Sequence, residues 1–458
     1  MRTLTTQTGR LTIGLVLALV AATQAYAQHD IPGITGPSFN LTAGSAHIAT
    51  PDGDGVLIWA YGAQGAPVQY PGPTLIVNEG DTVNVLLTNN LSVPTSIVFP
   101  GQEGVTTVGG TPGLLTAEAA AAPPPTNFVV YTFVANEPGT YMYHSGTQPE
   151  LQIEMGLLGA IIVRPTGYDA ATNRIAYGHS DTAYEHEYLF LHSEMDPNIH
   201  DLVDFGFPNL VDNTAAFPLL WFFNGRNGLE TLSPDNAAWM PNQPYTAFAR
   251  TRPGERVLIR MIGGGRNMHS FHPHGQHSTL VARDGRMLST GVGAGPDLAT
   301  DDFTYTVMPG GTYDSIFMWN GAKLGWDIYG PISTSCTDAD NDGFDDVSGD
   351  LCHDANCPDA DTDGLSDDAL TEDCNDHGIP MPVTLPGLQD VTLGGWHSGS
   401  PFLGQFGALP PGEGGLNING GLFFMWHSHN EKELANNDVF PGGMLSFVVI
   451  EPPGVPIP

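Results

Sequence analysis

The chain has 458 residues, with 14 Lys and Arg against 49 Asp and Glu, which gives a formal net charge of −35. A protein this acidic lacks the basic surface that nucleic acid requires, so we expect no nucleic-acid partner. Its 57 Gly and 38 Pro, together with few charged residues, indicate a turn-rich β protein rather than a helical one.

Residues 1–27 have the features of an export signal. Arg2 and Arg10 precede the apolar run 11–22, and an Ala-Tyr-Ala triplet offers a cleavage site before Gln28. The apolar run is too short to span a membrane, and no other stretch of the sequence is long enough. We therefore expect a cleaved signal peptide, no membrane span and a periplasmic or secreted protein.

Two blocks of short strands and Gly/Pro turns make up most of the remaining sequence. In the first block, residues 28–165, apolar side chains alternate along 83–88, and other strand-like runs are bounded by turns. This spacing predicts a β-sandwich or barrel of about 100–150 residues. Residues 166–216 lack a clear period and are predicted to be a connector that contains one strand, at residues 188–191. The second block comprises residues 217–335 and 378–458.

The second block repeats landmarks of the first. In both, a His-Ser pair follows an aromatic-rich strand: His144-Ser145 follows Tyr-Met-Tyr, and His427-Ser428 follows Phe-Met-Trp. A turn containing Gly and an acidic residue also precedes an alternating strand in each block. The sequence therefore predicts a duplicated β domain.

An acidic insert, residues 336–377, interrupts the second block. It has no Lys or Arg, and two stretches of alternating aspartates surround a Gly turn: Asp338, Asp340, Asp342 and Asp346, then Asp359, Asp361, Asp363 and Asp367. Oxygen-rich loops of this kind suit Ca²⁺. The twelfth position of each loop is Gly349 or Leu370, so a helix-loop-helix calcium site is excluded. A disordered acidic tract is the alternative.

All four cysteines lie in the same insert. In an oxidising compartment they can form two disulfides with three possible connectivities, and they are Cys336, Cys352, Cys357 and Cys374. The spacing of the aspartates and the interleaved cysteines resembles thrombospondin type 3 repeats. That resemblance implies a disulfide-braced calcium-binding loop.

Histidines form a second set of candidate metal ligands. His272 and His274 form a His-X-His pair, as do His427 and His429 after a strand-like run. Residues two apart on a strand share a face, so each pair can chelate a metal such as copper or zinc.

With these histidines, the sequence resembles the multicopper oxidases, a family of cupredoxin domains. The resemblance covers both blocks and rests on Pro-Gly-Pro-Thr at 71–74 with Gly-Asp at 80–81, the run 156–160 after His144, and the His-X-X-His-X-His spacing from His269. It implies an all-β protein of two cupredoxin-like Greek-key β-sandwich domains, here with an acidic calcium-binding loop inserted. It also implies copper between the two domains.

The family builds its copper cluster from four His-X-His pairs, and the resemblance carries over five of the eight ligands. The matching histidines are His144, His272, His274, His427 and His429. Gly146 stands in place of the partner of His144, and residues 95–100, where the first pair belongs, contain no histidine.

The resemblance also assigns the blue, electron-entry copper position. His269 matches its first histidine, Ser428 stands where its cysteine belongs, Glu433 stands where its second histidine belongs, and Met444 is the candidate axial methionine. A serine hydroxyl cannot replace a copper thiolate. We therefore expect no blue copper.

Two functions fit these residues. The first is an exported copper-dependent oxidoreductase with a reduced inter-domain copper site, which uses O₂ or another small molecule and receives electrons directly from its substrate. The second is a non-catalytic copper-binding protein or a calcium-braced extracellular scaffold. A mononuclear zinc hydrolase is disfavoured because a carboxylate base has no clear position. The copper ligands meet either within one chain or between subunits of a homotrimer, and the sequence leaves both arrangements open.

Overall fold

A computed structural model describes residues 28–321 and 422–451 of the chain. Between and beyond these ranges it describes residues 327, 337, 339, 353, 356–360, 362, 364–366, 372–379 and 457. The signal peptide expected at 1–27 lies outside the described residues. So do Cys336, Cys352 and seven of the eight candidate calcium ligands: Asp338, Asp340, Asp342, Asp346, Asp361, Asp363 and Asp367.

The first domain consists of two packed sheets and a small ribbon. Its strands are β1 (Ile34–Thr35), β2 (Ser38–Ala49), β3 (Gly55–Ala63), β4 (Gly72–Asn78), β5 (Thr82–Asn89), β6 (Thr106–Gly109), β7 (Thr111–Pro112), β8 (Ala117–Glu118), β9 (Phe128–Val134), β10 (Gly139–His144) and β11 (Leu158–Arg164). One sheet has the order β3-β2-β5-β9-β6, the other β1-β4-β11-β10, and β7 pairs with β8. Helix α1 (Pro149–Gln152) lies between β10 and β11.

The second domain is built in the same way. Its strands are β12 (His186–Met195), β13 (Leu220–Phe223), β14 (Ala249–Thr251), β15 (Arg256–Gly263), β16 (His269–Pro273), β17 (Ser278–Arg283), β18 (Arg286–Met287), β19 (Thr300–Asp302), β20 (Tyr305–Val307), β21 (Thr312–Met318), β22 (Leu422–Ser428) and β23 (Leu445–Ile450). One sheet has the order β13-β12-β15-β21-β17-β18, with β19 also paired to β17, and the other β14-β23-β22-β16-β20.

Short helices connect these strands. Helix α2 (Pro197–Asp204) follows β12, and the 3₁₀ turns are Ser180–Thr182, Pro208–Leu210, Asn213–Ala215, Glu230–Leu232 and Glu431–Leu434. Among the described residues, no helix combines the length and the apolar character needed to cross a membrane.

Strand pairing repeats between the two domains. β5 runs parallel to β2 and antiparallel to β9, and β15 runs parallel to β12 and antiparallel to β21. In the other sheets, β11 lies between β4 and β10 as β23 lies between β14 and β22. The all-β architecture predicted from the sequence is therefore confirmed.

Strand β12 lies within residues 166–216, which were predicted to be a connector with one strand at 188–191. It contains that strand and is an inner strand of the second domain's larger sheet. All ten of its residues are buried. A strand covered on both faces shows no alternation of polar and apolar residues, so its role is not visible as a period in the sequence.

The two domains share a core and a buried charge network. Leu158 and Ile162 of the first domain pack in one apolar cluster with Leu191 and Phe222 of the second. Beside this cluster, Glu187 of β12 accepts hydrogen bonds from Arg164 of β11 and from Arg260 of β15, the latter at 3.0 Å.

The charges in this network stabilise one another. Burial raises the pKa of Glu187, but the guanidinium groups of Arg164 and Arg260 outweigh burial and hold this pKa well below its ordinary value. Arg260 also donates to Thr140 of β10 at 2.9 Å. The network therefore links strands of both domains through one carboxylate.

Replacing Glu187 with Gln should destabilise the protein strongly, because it leaves two buried guanidinium groups without their shared carboxylate. We expect the free energy of unfolding to fall by about 3–5 kcal/mol in denaturant titrations. The control is Asp204→Asn, which removes the carboxylate of the exposed His47–Asp204 pair, 3.5 Å apart, and should cost less than about 1 kcal/mol. Equal losses in the two variants would contradict a structural role for the network.

Candidate metal centre

The pairing of β16 with β22 brings the candidate copper ligands of the second domain together. In this antiparallel pair His272 lies opposite His427, and Pro273 lies opposite Trp426. His274 continues the pairing, since its backbone N–H donates to the Met425 carbonyl at 3.1 Å. The Trp426 indole donates to the His274 carbonyl at 3.0 Å, which fixes the backbone beyond the end of β16.

His272, His274 and His427 form a buried group of imidazoles. Each offers one ring nitrogen, and these nitrogens lie within 4.8 Å of one another. The Nε2 atoms of His274 and His427 are 3.1 Å apart. The Nδ1 of His427 donates to the Ser428 carbonyl at 2.7 Å, so its Nε2 faces the group with a lone pair.

The surroundings keep two of these imidazoles neutral. Burial, with the neighbouring His274 and His429, lowers the pKa of His272 to about 4. Burial also lowers the pKa of His427 to about 3, although its hydrogen bond to Ser428 opposes this shift. A neutral imidazole is the form that binds a metal ion, so His272 and His427 can bind copper at neutral pH without prior loss of a proton.

His429 lies at the rim of the group. Its ring centroid is 4.8 Å from that of His272 and 5.6 Å from that of His427, and 55% of its side chain is exposed. Among the described residues it is not part of the set of nitrogens within 4.8 Å of one another. It therefore lies where the buried group meets solvent.

His144 lies apart from this group in the described chain. It ends β10, and its Nδ1 donates to the Ser145 carbonyl at 2.9 Å, as that of His427 donates to Ser428. Val98 is the strand partner of His144. The equivalent position in the second domain is His272, the strand partner of His427. The first domain thus has the strand geometry of the metal group with one histidine.

A charged network occupies the position expected for the blue copper. The Nδ1 of His269 lies 3.0 Å from Glu433 Oε2, and its Nε2 lies 3.0 Å from Glu194 Oε2. The Ser428 hydroxyl donates to Glu433 Oε2 at 2.6 Å. The backbone of Met444 bonds to both Ser428 and Glu433, so the structure brings all four sequence-derived positions together.

Both ring nitrogens of His269 face carboxylates. Burial lowers the pKa of His269, but the hydrogen bonds to Glu194 and Glu433 outweigh burial and raise it to about 9. The ring is therefore an imidazolium at neutral pH. A cation between two carboxylates is the reverse of a metal ligand, which must offer a lone pair.

Glu194 is a residue of this network that the sequence analysis missed. It lies on β12, inside the predicted connector, 75 positions from His269. Its other oxygen accepts the backbone N–H groups of Arg266 at 2.5 Å and Asn267 at 3.0 Å. A Cβ at Gly265 would come within 1.9 Å of Glu194 Oε2, so this loop needs glycine to approach the carboxylate.

The described part of the acidic insert contains one disulfide and one candidate calcium ligand. Cys357 and Cys374 are bonded, which is one of the pairings that the sequence left open. Asp359 Oδ2 accepts the backbone N–H of Gly364 at 3.1 Å, closing the second aspartate loop. Gly364 has a φ of +91°, a conformation that favours glycine at this turn.

The first domain matches a known family. Residues 62–167, from the end of β3 to just beyond β11, match the family model described as multicopper oxidase. The chain is 28% identical over 278 residues to copper resistance protein A of Escherichia coli, which covers 54% of this chain and 41% of that protein. It is 26% identical over 242 residues to a probable nitrite reductase-hydroxylamine oxidoreductase fusion protein of Kuenenia stuttgartiensis, covering 52% and 24%. The chain spans less than half the length of these two relatives.

Solved structures share the fold across nearly the whole chain. The blue copper oxidase from Nitrosomonas europaea aligns with a TM-score of 0.52 and 16% identity, covering 90% of this chain and 85% of that one. A multicopper oxidase called mgLAC aligns with the same TM-score, 18% identity and coverage of 92% and 87%. At these identities the likeness shows the fold, which confirms the predicted cupredoxin-like domains.

The imidazolium of His269 should make stability depend on pH. Its pKa is about 9 in the folded protein and 6.5 ordinarily. Its contribution is therefore fully present below about pH 6.5 and lost as pH rises through about 9, by on the order of 2–3 kcal/mol. The measurement is the free energy of unfolding between pH 6 and about 10 in wild type and His269→Gln.

The matched control for this experiment is His192→Gln. His192 is a buried neighbour whose ring centroid is 6.0 Å from that of His269. Burial lowers the pKa of His192 to about 3, so in the folded protein this histidine stays neutral throughout the window. In His192→Gln the free energy of unfolding should still fall as the pH rises, and in His269→Gln this fall should be absent. The same dependence on pH in both variants would rule out His269 as the source of the fall.

Proposed function

We propose that this chain, whose residues 62–167 match the multicopper oxidase family model, is a copper-dependent oxidoreductase with its metal site in the second domain. The observation that carries this proposal is the convergence of His272, His274 and His427, with 3.1 Å between two ring nitrogens. Nitrogen ligands of this kind suit copper, and family membership favours copper over zinc.

The chain's own residues prepare this site. The Ser428 carbonyl holds His427 with its Nε2 toward the group, and the Thr304 hydroxyl lies 2.7 Å from His272 Nδ1. These contacts fix the ring orientations that a metal ion needs. Bound copper would supply one-electron redox chemistry and an open position for O₂ or a small oxidant.

The network around His269 serves proton transfer rather than copper binding in this proposal. His269 and Glu433 hold a proton, and the Ser428 hydroxyl extends the network to the residue next to His427. Reduction of O₂ or nitrite consumes protons, so a buried proton store beside the metal group suits either reaction. Since Ser428 cannot conduct electrons as a thiolate does, the substrate delivers electrons directly at the rim, near His429.

We further propose that His144 completes the site from a neighbouring copy in a homotrimer. His144 is partly accessible, and the exposed Leu115 lies 3.3 Å from the position that a Cβ would take on Gly146, two residues beyond His144. On the second domain, the exposed Phe303 stacks edge-on against His272 with ring centroids 5.8 Å apart. Leu115 and Phe303 are thus exposed apolar side chains, one in the first domain and one beside His272 in the second. Both support contact between neighbouring copies of the chain.

Two further parts of the proposal concern export and the insert. A cleaved signal peptide would carry the protein to the periplasm or outside the cell, and the Cys357–Cys374 disulfide supports an oxidising compartment. The aspartate loops would bind calcium. The closed turn from Asp359 to Gly364 supports this assignment.

Copper binding should require the paired histidines of β16 and β22. Wild-type protein should bind one or two copper ions per chain at these histidines, and the double replacement of His272 and His427 with Ala should lower the bound copper by that number, measured by metal analysis after dialysis. The control is His277→Ala, an exposed histidine three residues beyond His274. Unchanged copper content in the double variant, or an intense blue absorption band in the wild type, would contradict the proposed site.

Activity should follow copper content. Copper-loaded protein should consume O₂ with phenols or reduced metal ions, or reduce nitrite, at rates that scale with bound copper and vanish in the His272/His427 double variant. Rates are measured on protein whose copper has been quantified, with the His277→Ala variant as control. Full copper occupancy without turnover would instead support a non-catalytic copper-binding protein.

A further inference from the structure

A second group of metal-binding side chains lies at the acidic insert, distinct from the histidines of β16 and β22. It consists of Asp327, His353, Glu372 and His377, whose candidate ligand atoms lie within 4.8 Å of one another. The His353 Nε2 lies 3.1 Å from oxygens of both Asp327 and Glu372. The His377 Nδ1 lies 2.9 Å from Glu372 Oε1 and 3.3 Å from His353 Nε2.

These four side chains are largely removed from solvent. Exposed fractions are 1% for His353, 3% for Asp327, 5% for Glu372 and 13% for His377. Burying two carboxylates is unfavourable unless cations balance them, and residues 336–377 contain no Lys or Arg. Protonated imidazoles or a bound cation can supply the balancing positive charge.

The approach of the two imidazoles favours a bound cation. His353 Nε2 and His377 Nδ1 are 3.3 Å apart, so two imidazolium rings would direct N–H groups at each other. One divalent cation satisfies two neutral imidazoles and two carboxylates with no net charge. A tetrahedral zinc site with ligand bonds of about 2.0–2.2 Å separates its donor atoms by about 3.4 Å, close to the 2.9–3.3 Å separations here.

We propose that Asp327, His353, Glu372 and His377 bind one Zn²⁺ ion as a closed, structural site. The ligand set is wrong for calcium, which takes oxygen ligands, so this site is separate from the aspartate loops. With four protein ligands and no open position, its role is structural rather than catalytic.

The positions of the four ligands in the chain indicate which segments a bound ion would join. Asp327 precedes the insert, and its backbone N–H donates to the Ile379 carbonyl at 2.8 Å while its side chain accepts the Gly378 N–H at 2.6 Å. The segments entering and leaving the insert therefore meet at Asp327. The Cys357–Cys374 disulfide joins the chain near His353 to the chain near Glu372. The ion would hold the two ends of the insert together.

The test uses the full chain in a background that silences the other histidine group. Protein carrying His272→Ala and His427→Ala is stripped with a chelator, loaded with Zn²⁺ in the presence of excess Ca²⁺, dialysed and analysed for metal. We expect one tightly bound zinc ion per chain. Adding His353→Gln and His377→Gln should remove it, whereas adding His179→Gln, a histidine outside both groups, should leave it.

Two further measurements separate loss of the site from loss of the fold. Glu372→Gln keeps the size of the side chain and should weaken zinc binding by at least about tenfold with an unchanged unfolding transition. With calcium present throughout, added zinc should further protect the insert from limited proteolysis in protein with all four ligands, and it should give no further protection in the His353/His377 variant. Absence of zinc from the background protein, its retention in the His353/His377 variant, or its displacement by calcium would overturn the proposal.

Discussion

The histidine group of the second domain depends on a single antiparallel pairing, that of β16 with β22. Phe271 and Trp426 are fully buried in the core of this domain and hold the two strands in register. Because side chains alternate between faces, a slip of one residue would turn His427 away from His272. The first domain has the same pairing between Val98 and His144. The difference between a metal group and an ordinary sheet edge therefore lies in the side chains at one register position, while the backbone is common to both domains.

Buried charges determine what surrounds that pairing. Glu187 links arginines of both domains and fixes how their sheets dock. On the same strand, Glu194 reaches His269 and completes a carboxylate–imidazolium–carboxylate arrangement beside the metal group. Each charge is tolerated in the interior because an opposite charge accompanies it. Strand β12 is thus responsible both for the docking of the domains and for the loss of a lone pair on His269.

The sequence revealed short-range patterns but did not reveal contacts between residues that are far apart in the chain. The duplicated strands and the pairs at His272/His274 and His427/His429 are short-range patterns, and the structure brings three of those four imidazoles into one buried group. Strand β12 has no alternation because both of its faces are covered, so neither its place in the sheet nor the role of Glu194 was predicted. The cluster at Asp327 was also missed, because its members are spread over fifty residues and only folding brings them together.

The serine at position 428 changes what this part of the fold can transmit. A cysteine at this position would bind an electron-entry copper through its thiolate. It would also conduct electrons from that copper to the neighbouring histidine ligands. Ser428 keeps both neighbours: its carbonyl orients His427, and its hydroxyl bonds to Glu433. In this protein, hydrogen bonds from Ser428 to Glu433 and from a protonated His269 to Glu433 connect the histidine group to the position of the missing blue copper. Because this position lacks a thiolate to hold an electron-entry copper, the proposed redox reaction at the histidine group draws its electrons from a molecule that reaches the group itself. The exposed ring of His429 marks the side from which that molecule can approach.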